Sequence, residues 1–406
     1  MTNNNSLKRN LTLPLVTFYG LGNILGAGIY VLVGKVAGVA GMFTPISFLL
    51  SSVIATFSAF TYAELSARFP VSAGEAVYVQ HGFNKKTLSI LVGFLIAAAG
   101  MVSAATIANG FVGYFKIFLD LPDTVILISL VSLLTLIAFW GIEQSVKIAV
   151  ILTLIEIFGL LLIIFVGRHE LFNISTYFHD IQLSYSSITY TGIFLGAFLA
   201  FYAFIGFEDM VNVAEEVKNP QKIMPSAILL ALIVATVLYI FVSYIAIMLV
   251  APKVLSSSDA PLALLYQQAT GTEPIIISLI SMFAVVNGAL IQIIMAARIF
   301  YGMSKKGWIS IYFSHVHSKT RTPHIATFTV GGSVLVLALW FPLMTLAKAS
   351  SLLILIVFSL VNLALIKIKI QTPHPENIKT YSMVIPVLGA LLSAMLLTFQ
   401  LFSNLL

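Results

Sequence analysis

Apolar runs of about 20 residues recur along the whole chain, and each is long enough to cross the hydrocarbon core of a bilayer as a helix. Charged residues make up only 9% of the 406 residues, whereas a soluble domain carries about 25%. The sequence therefore predicts an all-α polytopic membrane protein with eleven transmembrane helices. The predicted spans, numbered one to eleven, are 14–34, 42–63, 87–115, 124–141, 147–167, 191–214, 226–250, 274–302, 325–345, 349–368 and 382–403.

The lysines and arginines between these spans predict the orientation. With a cytoplasmic N-terminus, fifteen of them fall on the inner side and five on the outer side. Such a bias is typical of cytoplasmic loops. Eleven spans then place the C-terminus outside, and we expect a multi-pass protein of the cell membrane. The net charge of +6 arises from basic residues that lie beside the spans. It therefore gives no reason to expect a nucleic-acid partner.

Span one has a glycine-rich centre, with Gly20, Gly22, Gly26 and Gly28 inside one apolar run. Glycine loses the most backbone entropy on ordering, so this stretch is a poor helix. Inside a bilayer, unpaired backbone groups are tolerated only where protein or a water-filled cavity surrounds them. We therefore predict a break in this helix beside a cavity. The alternative is an intact helix in which Gly22 and Gly26 form a small-residue packing face.

Span six has a second interruption, because Gly206 is followed by the adjacent acids Glu208 and Asp209. Spans one and six lie five apart, so two five-helix halves would each open with a broken helix and run in opposite directions. That pattern indicates an inverted-repeat transporter with its binding site between the repeats. We predict one transport domain, with a first repeat at 14–167, a second at 191–368 and an additional helix at 382–403.

Five stretches resemble signatures of the amino acid–polyamine–organocation (APC) superfamily, within its amino acid permeases. They occur in the family's order between residues 14 and about 325, and jointly they are specific. Members usually have twelve helices, so a chain with eleven departs from the pattern. The matching stretches are Gly22–Tyr30, Tyr62–Ala76, Phe204–Glu208, Ala214–Pro220 and Arg298–Gly307.

The resemblance implies a secondary active transporter whose ligand is a free amino acid held at the two helix breaks. It assigns the carboxylate to the backbone at Ala27 and Gly28, where many members have Ser or Thr in place of Ala27. A half-helix N-terminus carries partial positive charge and a half-helix C-terminus carries partial negative charge. These charges favour a carboxylate at the first and an ammonium at the second, as the resemblance implies. The same motif positions assign the substrate ammonium to the backbone carbonyls of Ile24, Tyr202, Ala203 and Ile205.

Tyr202, Phe204 and Phe207 are the candidate gate and pocket aromatics, although ordinary packing is an alternative in a chain with 30 phenylalanines. A small pocket lined by these rings and Ile24 favours neutral L-amino acids. The alternative is an exchanger of cationic amino acids or amines, for which Glu208 could supply the acid. A channel is a distant alternative, because polar positions within the spans are sparse.

Two intramembrane acids, Glu156 and Glu208, are the proton-coupling candidates, because a carboxylate at that depth is costly unless neutral or paired. In proton-coupled members that the chain resembles, a lysine stands where we place Glu156, so proton coupling and uncoupled exchange both stay open. Glu156 could instead be a neutral acid that ties span five to the backbone of span one. At the first cytoplasmic loop we expect Glu64, Arg68 and Glu75 to form salt bridges.

The sequence offers no support for catalysis, for a cofactor or for a metal site. The chain has no cysteine, which excludes disulfides and thiol chemistry. His315 and His317 lie in a basic loop with no further ligand within sequence reach, so we expect a solvated surface there. We predict no enzyme activity, an amino acid as the ligand, a proton as the candidate coupling ion and the lipid bilayer as the surroundings. The sequence makes no prediction of the oligomeric state.

Overall fold

A computed structural model of the protein describes residues 9–71, 74–140, 146–183, 189–373, 375–376 and 378–403. Sixteen α-helices account for most of these described residues. They are α1 (Leu13–Leu25), α2 (Ala27–Ala40), α3 (Thr44–Arg68), α4 (Gly74–Phe83), α5 (Lys86–Phe115), α6 (Asp123–Trp140), α7 (Val146–Val166), α8 (Ile174–Leu183), α9 (Thr189–Phe201), α10 (Pro220–Leu249), α11 (Pro252–Ser257), α12 (Pro261–Thr270), α13 (Ile275–Lys305), α14 (His324–Trp340), α15 (Leu343–Gln371) and α16 (Val384–Ser403).

Eight helical segments of the described residues are long and apolar enough to cross a membrane. One of them, Leu13–Arg68, has 56 residues and contains both α1–α2 and α3, which is ample length for two crossings. Two shorter apolar helices, Val150–Val166 and His324–Trp340, complete the set. The fold is thus all-helical and multi-pass, as predicted. The exact number of eleven spans and the repeat boundaries stay predictions.

The break in span one is short. α1 ends at Leu25, Gly26 takes φ −34° and ψ −118°, and α2 begins at Ala27. The side chain of Ala27 lies outside the described part of the structure. Because a single residue leaves the helical conformation, the span consists of two helices joined end to end.

The break in span six is longer. α9 ends at Phe201, and a 3₁₀ turn follows at Tyr202–Phe204. Gly206 has φ +126°, a conformation that favours glycine. The chain then continues as a 3₁₀ helix, Glu208–Glu216, instead of returning to α-helix. Both breaks predicted from the sequence are therefore present.

The two broken spans lie in the middle of the helical assembly. α1 packs against α10 and α7, α2 packs against α9, and α5 packs along α13. Most of the buried side chains along these helices are apolar and form one cluster, with hydrogen bonds from Thr153 and Tyr239 to the backbone of α1. The breaks are therefore enclosed by protein, which is the condition under which a bilayer tolerates free backbone groups.

At the C-terminal end of α3, the Glu64 carboxylate is the centre of a buried ion network. It lies 2.8 Å from Arg68 Nη2 and 2.7 Å from Lys369 Nζ on α15, and it accepts a hydrogen bond from the Tyr381 N–H at 2.9 Å. The expected salt bridges are present for Glu64 and Arg68. Glu75 is different, because among the described residues no cation pairs with its buried side chain. Arg68 and Lys369 are instead paired with Glu64.

Candidate functional site

The two breaks cross each other closely, and a glycine lies at each contact. A Cβ added at Gly28 would lie 2.3 Å from Ala203 Cα, and one added at Gly206 would lie 2.5 Å from the Asn23 carbonyl oxygen. Both distances are far below contact between non-bonded atoms. Glycine is therefore required at 28 and 206 because backbone approaches backbone there, and this close crossing brings the two sets of predicted site residues together.

A small cavity lies at the crossing. Four predicted site residues line it: Ile24, Gly28, Tyr202 and Ile205. The described lining residues carry no charged side chain, and both polar and apolar groups from α5 and α13 complete the wall. The other lining residues are Asn23, Gly26, Ser103, Ile107, Gly288, Ile291 and Gln292.

The backbone gives this cavity a polar character. α2 begins at Ala27 without a side-chain cap, and the first N–H groups of a helix have no partner within it. These groups, including those of Ala27 and Gly28, provide hydrogen-bond donors and the positive end of a helix dipole. On the other side, the last carbonyls of α1 and the carbonyls of Tyr202–Ile205 provide acceptors.

Tyr239 on α10 connects the two breaks, and the sequence did not single it out. Its hydroxyl lies 2.7 Å from the Ile24 carbonyl oxygen and 2.9 Å from the Ala203 carbonyl oxygen. A hydroxyl has one proton, so it cannot fully satisfy both acceptors at once. The Tyr202 carbonyl accepts from the Ile205 N–H at 3.2 Å. Of the four carbonyls predicted to bind an ammonium, three therefore have a partner, and two of those share one proton.

The predicted aromatics separate into two groups. The Tyr202 hydroxyl contacts Ser103 Oγ on α5 at 3.0 Å, so this ring closes the cavity between span six and span three. Phe204 and Phe207 do not line the cavity. Phe204 packs edge-on against Tyr239, and Phe207 packs edge-on against Tyr62. Their positions place them behind the cavity wall, where they support the break.

The acids of span six lie close to the break. The Gly206 N–H donates to Glu208 Oε2 at 2.9 Å, so Glu208 binds the backbone of its own turn. Asp209 Oδ2 accepts from Gln292 Nε2 at 3.1 Å, and Gln292 lines the cavity. The Gln292 side chain therefore lies between Asp209 and the cavity. The sequence had singled out Glu208, not Asp209, as the proton-coupling candidate in this span.

Glu156 is a residue of α7, and its side chain contacts α13 without lining the cavity. Asn287 Nδ2 donates to its Oε1 at 3.1 Å, and its buried Oε2 has no hydrogen-bond partner within the described part of the chain. The carboxyl thus contacts span eight, while the link to span one runs from the Tyr30 hydroxyl to the Glu156 backbone carbonyl.

Outside the spans, Glu75 on α4 lies near Glu208 and Asp209. Burial raises its pKa to about 8, and the neighbouring Glu208 carboxylate adds to the rise. Among the described residues, none of the ion pairs involves Glu75, Glu156, Glu208 or Asp209. An unpaired buried carboxylate is costly, so Glu75 favours binding a proton.

Several lining residues had no signal in the sequence. Ser103, Ile107 and Ile291 sit in apolar spans where aliphatic and small residues are common, and their position is set by how α5 and α13 pack. Tyr239 could have been singled out only as a tyrosine in the middle of an apolar span, since its hydroxyl needs a partner when buried.

The fold is that of a membrane transporter, and the cavity lies at its two helix breaks. A family model described as "Amino acid permease" matches residues 11–405, and the chain belongs to this family. The branched-chain amino acid permease BcaP of Bacillus subtilis is 31% identical over 400 residues, which cover 91% of this chain and 82% of that protein.

A second relative is the cationic amino acid transporter 3, mitochondrial, of Arabidopsis thaliana. It is 28% identical over 390 residues, which cover 91% of this chain and 64% of that protein, so the chain spans less than two thirds of its length. A solved structure of a Na⁺-coupled sialic acid symporter has the same fold, with a TM-score of 0.60 and 14% identity over 95% of this chain and 89% of that one.

Proposed function

We propose that this permease carries neutral L-amino acids, as a secondary active transporter that is coupled to protons or works by exchange. The observation that carries the proposal is the cavity wall. It presents Ile24, Ile107, Ile205 and Ile291, and no charged side chain among the described lining residues. Such a wall stabilises an aliphatic side chain by burial, whereas a cationic one would lose its hydration without a counter-charge. The branched-chain permease relative supports the same substrate class.

In the proposed complex, the substrate carboxylate binds the N–H groups at Ala27 and Gly28. Its ammonium binds the carbonyl of Ile205 and whichever carbonyl of Ile24 and Ala203 lacks the Tyr239 proton. Opposite half-charges at the ends of broken helices suit a zwitterion. Tyr202 acts as the gate, and Phe204 and Phe207 support it from behind.

The second candidate is exchange of cationic amino acids or amines, and the contact between Gln292 and Asp209 favours it. Rotation of the Gln292 amide away from Asp209 would expose a carboxylate toward the cavity. The Arabidopsis relative carries a name of this substrate class. The difference between the two candidates is therefore whether Gln292 shields Asp209 during transport.

Uptake into liposomes that contain the purified protein decides between these candidates. We expect labelled leucine, isoleucine and valine to be taken up with saturation, and labelled arginine and lysine to compete poorly. Preferred uptake of arginine or lysine would reject the neutral substrate class and favour the exchanger. Single-channel current steps across a planar bilayer would instead indicate a channel, the most distant alternative.

For the coupling ion, we propose Glu208 as the principal proton site, because it lies at the break and no cation among the described residues pairs with it. Uptake driven by an inward proton gradient should lose its dependence on that gradient in Glu208→Gln. Glu170→Gln, on the outer connection after α7, is the matched control and should keep it. If Glu156→Gln loses the dependence and Glu208→Gln keeps it, coupling runs through span five. If the wild type ignores the gradient, the protein is an exchanger.

We further propose that the protein resides in the cell membrane with a cytoplasmic N-terminus and an outer C-terminus, and that it performs no catalytic chemistry and needs no cofactor. The absence of cysteine from the sequence makes the orientation simple to test. A cysteine placed at Ser257 should react with a membrane-impermeant maleimide added outside intact cells, and one placed at Ser314 should not. The reverse pattern would invert the proposed topology.

A further inference from the structure

A second open space lies far from the breaks, where the end of α4 meets the end of α15. It contains about 560 Å³ of empty volume and is open to the surroundings. We call it the lysine cavity, and its lining residues are Gly82, Phe83, Asn84, Lys367, Ile370 and Gln371. It lies on the face that carries the first cytoplasmic loop, between spans two and three, as the charge distribution predicts.

The lysine cavity has a positive charge that no carboxylate neutralises. The Lys367 ammonium lies 4.2 Å from the centre of the Phe83 ring, and this contact leaves N–H donors free. Lys85 and Lys86, both exposed, follow Asn84 directly in the chain. Among the described residues, none of the ion pairs involves these three lysines. Glu64, the buried acid on the neighbouring α3, is already paired with Arg68 and Lys369.

An exposed apolar face continues from this charge along α15. Leu363 is 42% exposed and Ile370 is 70% exposed. They lie four residues before and three after Lys367, so the three side chains share one face of the helix. In a membrane such a face contacts acyl chains, and a lysine at the end of a span extends its ammonium toward the headgroups. The cavity thus combines a headgroup-level cation with a tail-level apolar surface.

We propose that the lysine cavity binds an anionic phospholipid of the leaflet it faces. The Lys367 ammonium contacts the phosphate, and the side-chain amides of Asn84 and Gln371 supply further donors to the headgroup. The acyl chains lie along Leu363 and Ile370. Basic pockets between transmembrane helices are suited to anionic headgroups in this way. This inference does not depend on which substrate the permease carries.

Native mass spectrometry of the full-length protein in detergent tests the proposal. Phosphatidylglycerol and phosphatidylcholine are added at equal mole ratios, and the lipid retained by the protein is counted. We expect phosphatidylglycerol to be retained in preference. Lys367→Gln should weaken its retention about fivefold, the effect of one surface cation on an anionic lipid.

Lys305→Gln is the matched control. Lys305 ends α13 and its ammonium also lies over an aromatic ring, 5.7 Å from the centre of Tyr301, but it does not line the cavity. The control should retain phosphatidylglycerol as the wild type does. Equal losses in Lys367→Gln and Lys305→Gln would overturn the proposal, because the effect would then be one of general surface charge.

A second variant keeps the test independent of any folding defect in Lys367→Gln. Gln371→Glu places a carboxylate on an exposed position of the cavity, and we expect it to repel phosphatidylglycerol while leaving phosphatidylcholine retention unchanged. Retention equal to the wild type in Gln371→Glu would contradict the site. Displacement of phosphatidylglycerol by an equal concentration of inorganic phosphate would overturn the assignment to a membrane lipid.

Discussion

The two helix breaks differ in length, in chemistry and in how they are held. The break in span one is a single residue, Gly26, between two regular helices, and the surrounding positions carry no acid. The break in span six extends from Tyr202 to Glu216 without returning to α-helix, and it carries Glu208 and Asp209. One break is a stiff junction that presents N–H groups. The other is a longer irregular segment that combines carbonyls with titratable side chains.

The difference between the two breaks suggests that they have different roles in transport. A short junction between two helices fixes donors in place, as an anion-binding helix terminus does. A 3₁₀ segment has poorer hydrogen-bond geometry than an α-helix, and it often marks a hinge. We therefore expect span one to position the substrate and span six to respond to substrate and protons. The following predictions test that contrast, from the largest expected effect to the smallest.

The largest effect is expected for Gly206→Ala. The new Cβ would meet the Asn23 carbonyl oxygen at 2.5 Å, and φ of +126° is unfavourable for alanine. Strain and overpacking together should cost roughly 2–5 kcal/mol and abolish uptake. Uptake and the melting temperature in detergent measure the two losses. Gly332→Ala on α14, where an added Cβ meets nothing within 4 Å, should change neither, and normal uptake by Gly206→Ala would show that the breaks do not touch.

Tyr239→Phe should have the next largest effect. It keeps the ring contacts with Phe48 and Phe204 but removes the one proton shared by the Ile24 and Ala203 carbonyls. The loss of a buried donor costs about 1–3 kcal/mol, and the link between the breaks would loosen. We expect KM or the maximal uptake rate to change about tenfold.

Tyr244→Phe is the control on the same helix, since its hydroxyl bonds to the Glu170 carbonyl at 3.0 Å, away from the breaks. If both variants change uptake equally, the hydroxyl of Tyr239 has no special role at the crossing.

Glu75→Gln tests the acidic surroundings of span six. Burial raises the pKa of Glu75 to about 8, above about 4.3 for an unfolded chain. Between these values the folded protein binds more protons than the unfolded chain, so its stability falls as pH rises, by at most about 1.4 kcal/mol per pH unit. We expect Glu75→Gln to remove this slope and to raise the melting temperature at pH 8 more than at pH 5.

The control for that measurement is Glu170→Gln on the opposite face, which should leave the slope as it is in the wild type. An unchanged slope in Glu75→Gln would mean that the side chain is not the group that loses its proton in this range.

The smallest effect concerns the outer half of span one. Lys35 on α2 donates to the Ser256 carbonyl at 2.9 Å and lies 3.5 Å from the Asp259 carboxylate. These contacts hold α11 over α2. Lys35→Gln should speed maleimide labelling of a cysteine placed at Ser257 by about two- to fivefold, because such a surface contact contributes under about 1 kcal/mol. Lys253→Gln, on α11 itself, should leave the labelling rate unchanged.

The sequence predicted the apolar spans and the presence of both breaks, because length, hydropathy and glycine content are local properties. It also singled out Ile24, Gly28, Tyr202 and Ile205, which line the cavity. It did not separate Phe204 and Phe207, which lie behind the wall, from Tyr202, which forms it. All three are aromatics within six residues, and only the course of the break decides which ring faces inward.

By itself the sequence determined that this protein is a helical membrane transporter whose first and sixth spans are interrupted. Only the tertiary structure decided that Gly28 meets Ala203, that Gly206 meets Asn23 and that the Tyr239 hydroxyl lies between two carbonyls from different spans. It also decided that Asp209, and not Glu208, reaches the cavity through Gln292. The physical reason is that hydropathy and backbone propensity act within one segment, whereas these contacts join segments up to 215 residues apart and depend on how the helices pack.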